Sequence, residues 1–308
     1  MIDMKQRTVT GCSPPLPEGL PHQGRCLVMG ILNVTPDSFS DGGRYANTRR
    51  AVQHGLQLAR AGADLVDVGG ESTRPGARPV PLAEELARVV PVVRELALAN
   101  VRVSVDTMHA EVARAAVQAG ACIVNDVSGG LADPSMAATV GAAQVPYVIT
   151  HWRAPSHEMD RHAVYDDVVS QVVAELHIRV EAAVAAGVQA ERIIIDPGLG
   201  FAKNAEQDWQ LLSHLSALKE TGFPFLIGAS RKRLIRTALQ AHGACESGSD
   251  ERDAATAAVS ALAASAGASC VRVHDVRSSL HAVYMASAWA SGGRRAPTGL
   301  PPAPPLAS

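Results

Sequence analysis

Eight short apolar runs recur along this chain, and each ends in a polar or glycine-rich cluster. Runs of four to seven residues that are rich in Val and Ile are typical of strands buried on both faces. Helical patterns separate most of the runs, which predicts right-handed crossovers and a parallel sheet. Eight such units predict an α/β fold, the (β/α)8 TIM barrel. The predicted strands are Leu27–Asn33, Leu65–Gly69, Val101–Asp106, Cys122–Asp126, Pro146–His151, Arg192–Asp196, Phe225–Ser230 and Cys270–His274.

The chain of 308 residues has a normal length for one such barrel. We predict a flexible amino-terminal segment over residues 1–24, a single barrel domain over 25–290 and a disordered, proline-rich tail over 291–308. The helical patterns number nine against eight strands, and the extra helix falls between strands seven and eight.

Charge and composition narrow the class of partner. The net charge of −2 gives no overall basic field, so nucleic acid is not a favoured partner. No apolar stretch reaches the ~18 residues of a membrane span, and the amino terminus lacks the order of a secretory signal. The five cysteines show no C-x-x-C pairing, and buried thiols in a reducing cytosol are the plain interpretation. We therefore expect a cytoplasmic protein that acts on small molecules.

The predicted strand ends carry polar side chains that a barrel brings to one mouth, where chemistry takes place in this fold. Asp106, Asn125 and Asp196 end three different strands. Carboxylates accept from paired N–H groups and an amide offers both a donor and an acceptor, so the set suits a planar heterocycle with ring N–H, amino and carbonyl groups. The alternative is that some of them cap the adjacent helices.

Two further motifs carry positive charge. The segment 228–233 reads GASRKR, follows strand seven and opens a helix, which predicts an anion or polar-ring site; the alternative is a solvated basic helix face. Arg272 and His274 alternate with valines on strand eight and so point to the same face. Such a pair favours an anion such as phosphate, unless the arginine pairs with a carboxylate at the rim.

Two loops of the same mouth complete the pattern. Residues 33–43 read NVTPDSFSDGG and can present Asn and Asp oxygens to a hard cation, or can form a connector whose side chains satisfy their own backbone. Residues 67–76 read DVGGESTRPG, in which Glu71 is either functional or part of a structural ion pair. For Thr73, Arg74 and Pro75 a functional role is the better interpretation.

These motifs, together with SVDT, NDVSGG, DPGLGF and RVHD, resemble the dihydropteroate synthase family over about residues 27–289. The resemblance implies a (β/α)8 barrel that joins p-aminobenzoate to 6-hydroxymethyl-7,8-dihydropterin diphosphate and releases diphosphate, a step of folate biosynthesis. It also implies a dissociative mechanism, Mg2+ as cofactor, inhibition by sulfonamides and a homodimer.

The resemblance also implies a role for each matching residue. The pterin-binding residues are Asp106, Asn125, Asp196 and Lys232. The diphosphate-binding residues are Asn33, which also reaches Mg2+, Arg272 and His274. Asp41 and Arg74 lie on the two loops that close over the substrates and join Asp106 and Lys232 as catalytic residues. The p-aminobenzoate pocket is expected to consist of Phe39, Thr73, Pro75 and Arg233.

The chain departs from the family pattern at two places. Arg233 stands where many members have Ser, and the fifth loop keeps His151 and Arg153 without the usual flanking residues. Two other functions stay open at this point. A non-catalytic pterin-binding paralogue is expected to have lost Asp41, Arg74 or Lys232, and a pterin-dependent methyltransferase is expected to lack both long loops and the diphosphate pair.

Overall fold

The computed structural model describes residues 14–35, 43–72, 79–243 and 248–293, with the side chains of 43–46 excepted. Eight parallel strands form one sheet in the order β6-β5-β4-β3-β2-β1-β8-β7. Ile195 of β6 bridges Phe225 just before β7, and its N–H donates to the Pro224 carbonyl oxygen at 3.0 Å, which closes the barrel. The strands are β1 Leu27–Asn33, β2 Leu65–Gly69, β3 Val103–Asp106, β4 Ile123–Asp126, β5 Tyr147–Thr150, β6 Ile193–Asp196, β7 Leu226–Ile227 and β8 Cys270–Val273. The predicted (β/α)8 barrel is confirmed.

Helices follow the strands and cover the outside of the barrel. Within the described residues they are α1 Gly43–Arg60, α2 Leu82–Leu98, α3 Ala110–Gln118, α4 Met136–Ala143, α5 Val168–Ala185, α6 Ala205–Ser213, α7 Leu215–Lys219, α8 Arg233–Ala241, α9 Ser249–Ser265 and α10 Val276–Ala290. Both α8 and α9 lie between β7 and β8, so the predicted additional helix is present.

The helical pattern in the sequence predicts one continuous helix over residues 205–221, but the structure has two helices there, α6 and α7. His214 leaves the helical region with φ −124° and ψ 36°. Its ring Nδ1 lies 2.8 Å from the Gln210 carbonyl oxygen. Its backbone N–H donates to the Leu211 carbonyl oxygen, three residues back, which makes a tighter turn than an α-helix. A side chain that bonds its own preceding turn offers the backbone an alternative to a continuous helix.

Alternation along each strand divides the core into two layers. The outward residues, such as Val28, Val66 and Ile195, pack under the helices in the main apolar cluster. The inward residues at the strand starts, such as Leu27, Leu65 and Ile194, form a second cluster inside the barrel. Leu20 is buried against that inner cluster, so part of the segment predicted to be flexible covers the amino-terminal end of the barrel.

The same alternation places polar residues inward at the other end of the barrel. Beyond Leu65 the next inward residue of β2 is Asp67, beyond Ile123 that of β4 is Asn125, and beyond Cys270 that of β8 is Arg272. The barrel therefore has an apolar base and a polar mouth. Across the described ranges, no helix combines the length and apolar character needed to cross a membrane.

Candidate active site

Two ion pairs that Arg272 makes with residues of two other strands form the floor of the mouth. The Arg272 Nε atom lies 2.6 Å from Oδ2 of Asp67, and its Nη2 lies 2.6 Å from Oδ2 of Asp106. The Asn125 side-chain amide donates to Asp67 Oδ2 at 3.0 Å. These contacts tie β2, β3, β4 and β8 together at one level of the barrel. Asp106, Asn125 and Arg272 are thus neighbours, as the sequence predicts.

Burial sets the charge behaviour of this floor. Loss of solvation raises the pKa of Asp106, and the Arg272 guanidinium, 2.6 Å away, opposes the rise and favours the charged carboxylate. The two carboxylates raise the pKa of Arg272 further above its ordinary value, against the effect of its burial. Arg272 is therefore a fixed cation that keeps two buried carboxylates in place. Its contact with Asp67 and Asp106 is the carboxylate pairing considered above as the alternative to anion binding.

Asp196 and Lys232 lie next to Arg272 at the mouth, because all three side chains come close to Gly228. Asp196 ends β6 and accepts a hydrogen bond from the Gly198 N–H at 2.7 Å. Burial raises its pKa, and the Lys232 ammonium opposes that rise. Lys232 is the N-cap residue of α8, donates to the Leu199 carbonyl oxygen and lies 4.7 Å above the Phe201 ring. Burial lowers the pKa of Lys232, and Asp196 is the main group that opposes this.

The rim beside Lys232 carries His274 and Ser230. The Ser230 hydroxyl lies 2.9 Å from Nδ1 of His274 and accepts from the His274 backbone N–H at 3.1 Å. His274 follows β8 two residues after Arg272, on the inner face. Polar donors therefore extend from the floor of the mouth to its edge.

Asn33 ends β1 at the same mouth, opposite Gly69 of β2 in the sheet register. Its amide oxygen is a hard donor of the kind that Mg2+ accepts. One such oxygen suits a cation whose other ligands are water and substrate phosphates, which is how Mg2+ is commonly held. The donor set therefore fits the expected metal.

Arg233 projects beside the mouth and contacts a neighbouring loop. Its guanidinium donates to the Lys203 carbonyl oxygen at 2.7 Å and lies 3.5 Å from Asp160. The remaining predicted site residues fall outside the described residues; they are Phe39, Asp41, Thr73, Arg74 and Pro75.

A second buried network supports the Asp196 loop and was not predicted. The Lys203 side chain is fully buried, and its Nζ contacts His151 Nδ1 at 2.8 Å and the carbonyl oxygens of Gly198 and Phe201 at 3.0 Å each. His151 Nε2 lies 3.0 Å from the Glu175 carboxylate, which also pairs with Arg153. The lysine ammonium therefore has three acceptors and joins this loop to β5 and α5.

Within this network the pKa values of His151, Lys203 and Glu175 are lowered, whereas the hydrogen bond to Glu175 raises that of Arg153. Burial lowers the pKa of His151 to about 4, and the Lys203 ammonium adds to that effect. The bonds from His151 and Arg153 lower the pKa of Glu175 to about 2, against its partial burial. At neutral pH the imidazole is neutral, accepts from Lys203 and donates to the Glu175 carboxylate.

Two residues singled out by the motifs have other partners. Asp126 accepts from Ser128, Gly130 and the Tyr147 hydroxyl on the outer side of β4 and so stabilises the following turn. Glu71 accepts from the Val80 N–H at 3.1 Å and is close to Glu85 and His109.

Comparison with known proteins identifies the relatives of this arrangement. Residues 29–274 match the family of pterin binding enzymes. The dihydropteroate synthase of Mycobacterium leprae is 54% identical over 267 residues, which is 86% of this chain and 94% of that protein.

Solved structures agree. That of Xanthomonas albilineans dihydropteroate synthase with 4-aminobenzoic acid has a TM-score of 0.78 and 45% identity, covering 87% of this chain and 93% of the other. The structure of the Yersinia pestis enzyme with a sulfonamide drug complex has a TM-score of 0.82 and 38% identity. The match covers 90% of this chain and 99% of the other.

Proposed function

The chain belongs to the dihydropteroate synthase family of pterin-binding enzymes, and we propose that it joins p-aminobenzoate to 6-hydroxymethyl-7,8-dihydropterin diphosphate at the mouth of the barrel. The product is 7,8-dihydropteroate, and diphosphate is released. One observation carries the residue assignments. Three polar side chains and two cations lie together at one end of the barrel; they are Asp106, Asn125, Asp196, Arg272 and Lys232.

The pterin ring lies among Asp106, Asn125, Asp196 and Lys232. The carboxylates accept from the ring N–H and amino groups, and the amide of Asn125 and the ammonium of Lys232 donate to ring acceptors. These side chains are already held by Arg272, Asp67 and the 196–203 loop. Binding the pterin therefore costs little side-chain conformational entropy.

The diphosphate occupies the rim beside Asn33, Arg272 and His274. Asn33 is the residue that would hold Mg2+, which when bound neutralises charge on the phosphate oxygens. Arg272, whose Nε and Nη2 are already paired with Asp67 and Asp106, contributes positive charge beneath the leaving group, and His274 adds a donor at the rim.

The reaction is dissociative. The C–O bond to diphosphate breaks first, and the leaving group keeps the electron pair, which creates a cation on the pterin methylene. Asp106 stabilises that cation electrostatically. The arylamine nitrogen then attacks the methylene with its lone pair, forms the new C–N bond and loses a proton to water. The family resemblance supports the remaining assignments: Asp41 and Arg74 would help to exclude water, and Phe39, Thr73, Pro75 and Arg233 would contact the arylamine.

The relative from Yersinia pestis has a sulfonamide drug complex. We expect sulfonamides to compete with p-aminobenzoate here, because both present an aniline ring with an acidic or polar group opposite the amine.

The assembly that we propose is a homodimer in the cytoplasm. Cys26, Cys122 and Cys270 are free thiols, which suits a reducing compartment.

An apolar groove on the outside of the barrel, between α6, α8 and α9, offers a surface for a second copy. It is lined by Trp209, Ile235, Ala238, Leu239, His242, Ala255, Ala258, Val259 and Leu262.

A direct assay tests the activity. Purified protein with Mg2+, the pterin diphosphate and p-aminobenzoate is expected to release diphosphate and form dihydropteroate in equal amounts. Retention of the pterin without turnover would instead identify a binding-only paralogue. Methyl transfer from a methylated folate, without either of these results, would identify a methyltransferase.

A further inference from the structure

Arg231 has a left-handed backbone conformation, with φ 57°. A residue with a Cβ adopts this region at an energetic cost, whereas glycine adopts it readily. Such conformations persist where the surrounding structure enforces them, and they concentrate at functional sites. Arg231 directly precedes Lys232, so its conformation determines where the Lys232 side chain begins.

Asp253 of α9 holds Arg231 in this conformation from outside the barrel. Its Oδ1 accepts from Arg231 Nε at 2.7 Å and its Oδ2 from Nη2 at 2.6 Å, a two-pronged ion pair. The Thr256 hydroxyl, one turn further along α9, accepts from the Arg231 backbone N–H at 3.3 Å. Both the side chain and the backbone of Arg231 are therefore attached to α9.

The position of Lys232 depends on this attachment. Its own backbone is extended, at φ −70° and ψ 166°, and caps α8. From there the side chain crosses the Phe201 ring to the Leu199 carbonyl oxygen. If Arg231 took an ordinary helical or extended conformation, the chain would leave the turn in another direction and the ammonium would lose these contacts.

We propose that Asp253 is a positioning residue, which acts through Arg231 to aim Lys232 at the pterin. This gives the additional helix α9 a role in substrate recognition. The inference rests on the proposed function, because it deepens the role of Lys232 there. It differs from direct contact between Arg231 and a substrate, in which the guanidinium rather than the backbone conformation would matter.

Glycine and alanine at position 231 separate the two possibilities. Both remove the guanidinium, but only glycine adopts the left-handed region at little cost. We expect Arg231→Ala to raise the Kd for the pterin diphosphate about tenfold and Arg231→Gly to raise it less than about threefold. The ligand is 6-hydroxymethyl-7,8-dihydropterin diphosphate, and binding is measured by calorimetry on the full chain.

A rescue experiment tests Asp253 itself. We expect Asp253→Ala to raise the same Kd about tenfold, since the ion pair no longer offsets the backbone cost. Adding Arg231→Gly to Asp253→Ala is expected to restore the Kd of Arg231→Gly alone. Asp253→Asn serves in place of the alanine variant if that one does not fold, which thermal unfolding will show.

Asp64→Asn is the matched control. Arg25 and Asp64 form a similar two-pronged pair, at 2.8 and 3.0 Å, at the opposite end of the barrel. This control is expected to lower stability and leave the Kd unchanged. Equal losses for Arg231→Gly and Arg231→Ala, or a normal Kd for both Asp253 variants, would overturn the proposal. Absence of pterin binding by the unmodified chain would overturn the proposed function instead.

Discussion

At the scale of single residues, the proposed function gives Asp106 both a binding and a chemical role. It lies 2.6 Å from Arg272 and is almost completely buried, so its carboxylate is fixed before substrate arrives. A preorganised charge stabilises the transition state more than the ground state. The neutral pterin needs only a hydrogen-bond acceptor, whereas the methylene cation needs a negative charge.

We therefore expect Asp106→Asn to lower kcat about 100-fold or more and to raise the Kd for the pterin diphosphate less than about tenfold. Asn keeps an acceptor oxygen but not the charge. Steady-state kinetics and calorimetry on the same preparation measure the two quantities. Equal losses in kcat and binding would contradict the cation-stabilising role of Asp106.

His151 is expected to make stability depend on pH. Its pKa falls from 6.5 to about 4 on folding, so between these values the unfolded chain binds a proton that the folded chain does not. The contribution of His151 to stability therefore falls as the pH falls from 6.5 to 4, by at most about 3.5 kcal/mol in total, since one pKa unit is about 1.4 kcal/mol.

The variant His151→Asn removes this titration and keeps an acceptor for Lys203. We expect the free energy of unfolding in urea to depend less on pH in the variant than in the unmodified chain between pH 6.5 and 5. His157→Asn, on the exposed part of the same loop, is the control. Parallel pH curves for His151→Asn and the unmodified chain would disprove the assignment.

At the scale of elements, the sequence was most informative where a strand ends in a polar residue. Asp106, Asn125 and Asp196 follow apolar runs directly, and inward alternation brings the first two within one network. Asp67 was missed because it lies inside its run, although the same alternation places it on the inner face. Lys203 was missed because a lone lysine ahead of a helix has the pattern of a solvated residue, and only the closed fold surrounds it.

The start of α6 provides an element-scale prediction. Asn204 follows Lys203 and forms a capping box, in which its side chain accepts from the Gln207 N–H and Gln207 accepts from the Asn204 N–H, both at 2.9 Å. Asn204→Ala is expected to lower the free energy of unfolding by about 1 kcal/mol, measured in urea. Asn204→Asp, which keeps the cap, is expected to lose less. Equal losses would show that the cap contributes little to stability.

At the scale of the whole molecule, convergence on one mouth follows from the fold rather than from any one motif. Asp67 and Arg272 are distant in sequence, but their strands, β2 and β8, both pair in parallel with β1. Both side chains point into the barrel at a similar level, so they reach each other across β1. The barrel could be predicted because the period of strand and helix repeats eight times. The pairing of Arg272 with two carboxylates could not, since spacing gives a side chain's face and not its partner.

The apolar groove supplies the prediction for the assembly. Leu262 of α9 lines the groove and is 70% exposed, so it contributes little to the stability of one subunit. If a second copy covers the groove, Leu262→Glu places a carboxylate in an apolar interface without a partner. We expect this change to weaken self-association at least about a hundredfold. Thermal unfolding of the dissociated subunit is expected to remain cooperative.

Sedimentation velocity at micromolar protein concentration measures the change, and Leu98→Glu is its control. Leu98 is 73% exposed at the end of α2, away from the groove, so the same substitution there adds the same charge to another face. A dimer that survives Leu262→Glu but dissociates with Leu98→Glu would move the interface to α2. Because the mouth of each barrel is built from its own strands, we expect the Leu262→Glu monomer to keep pterin binding within about threefold of the dimer.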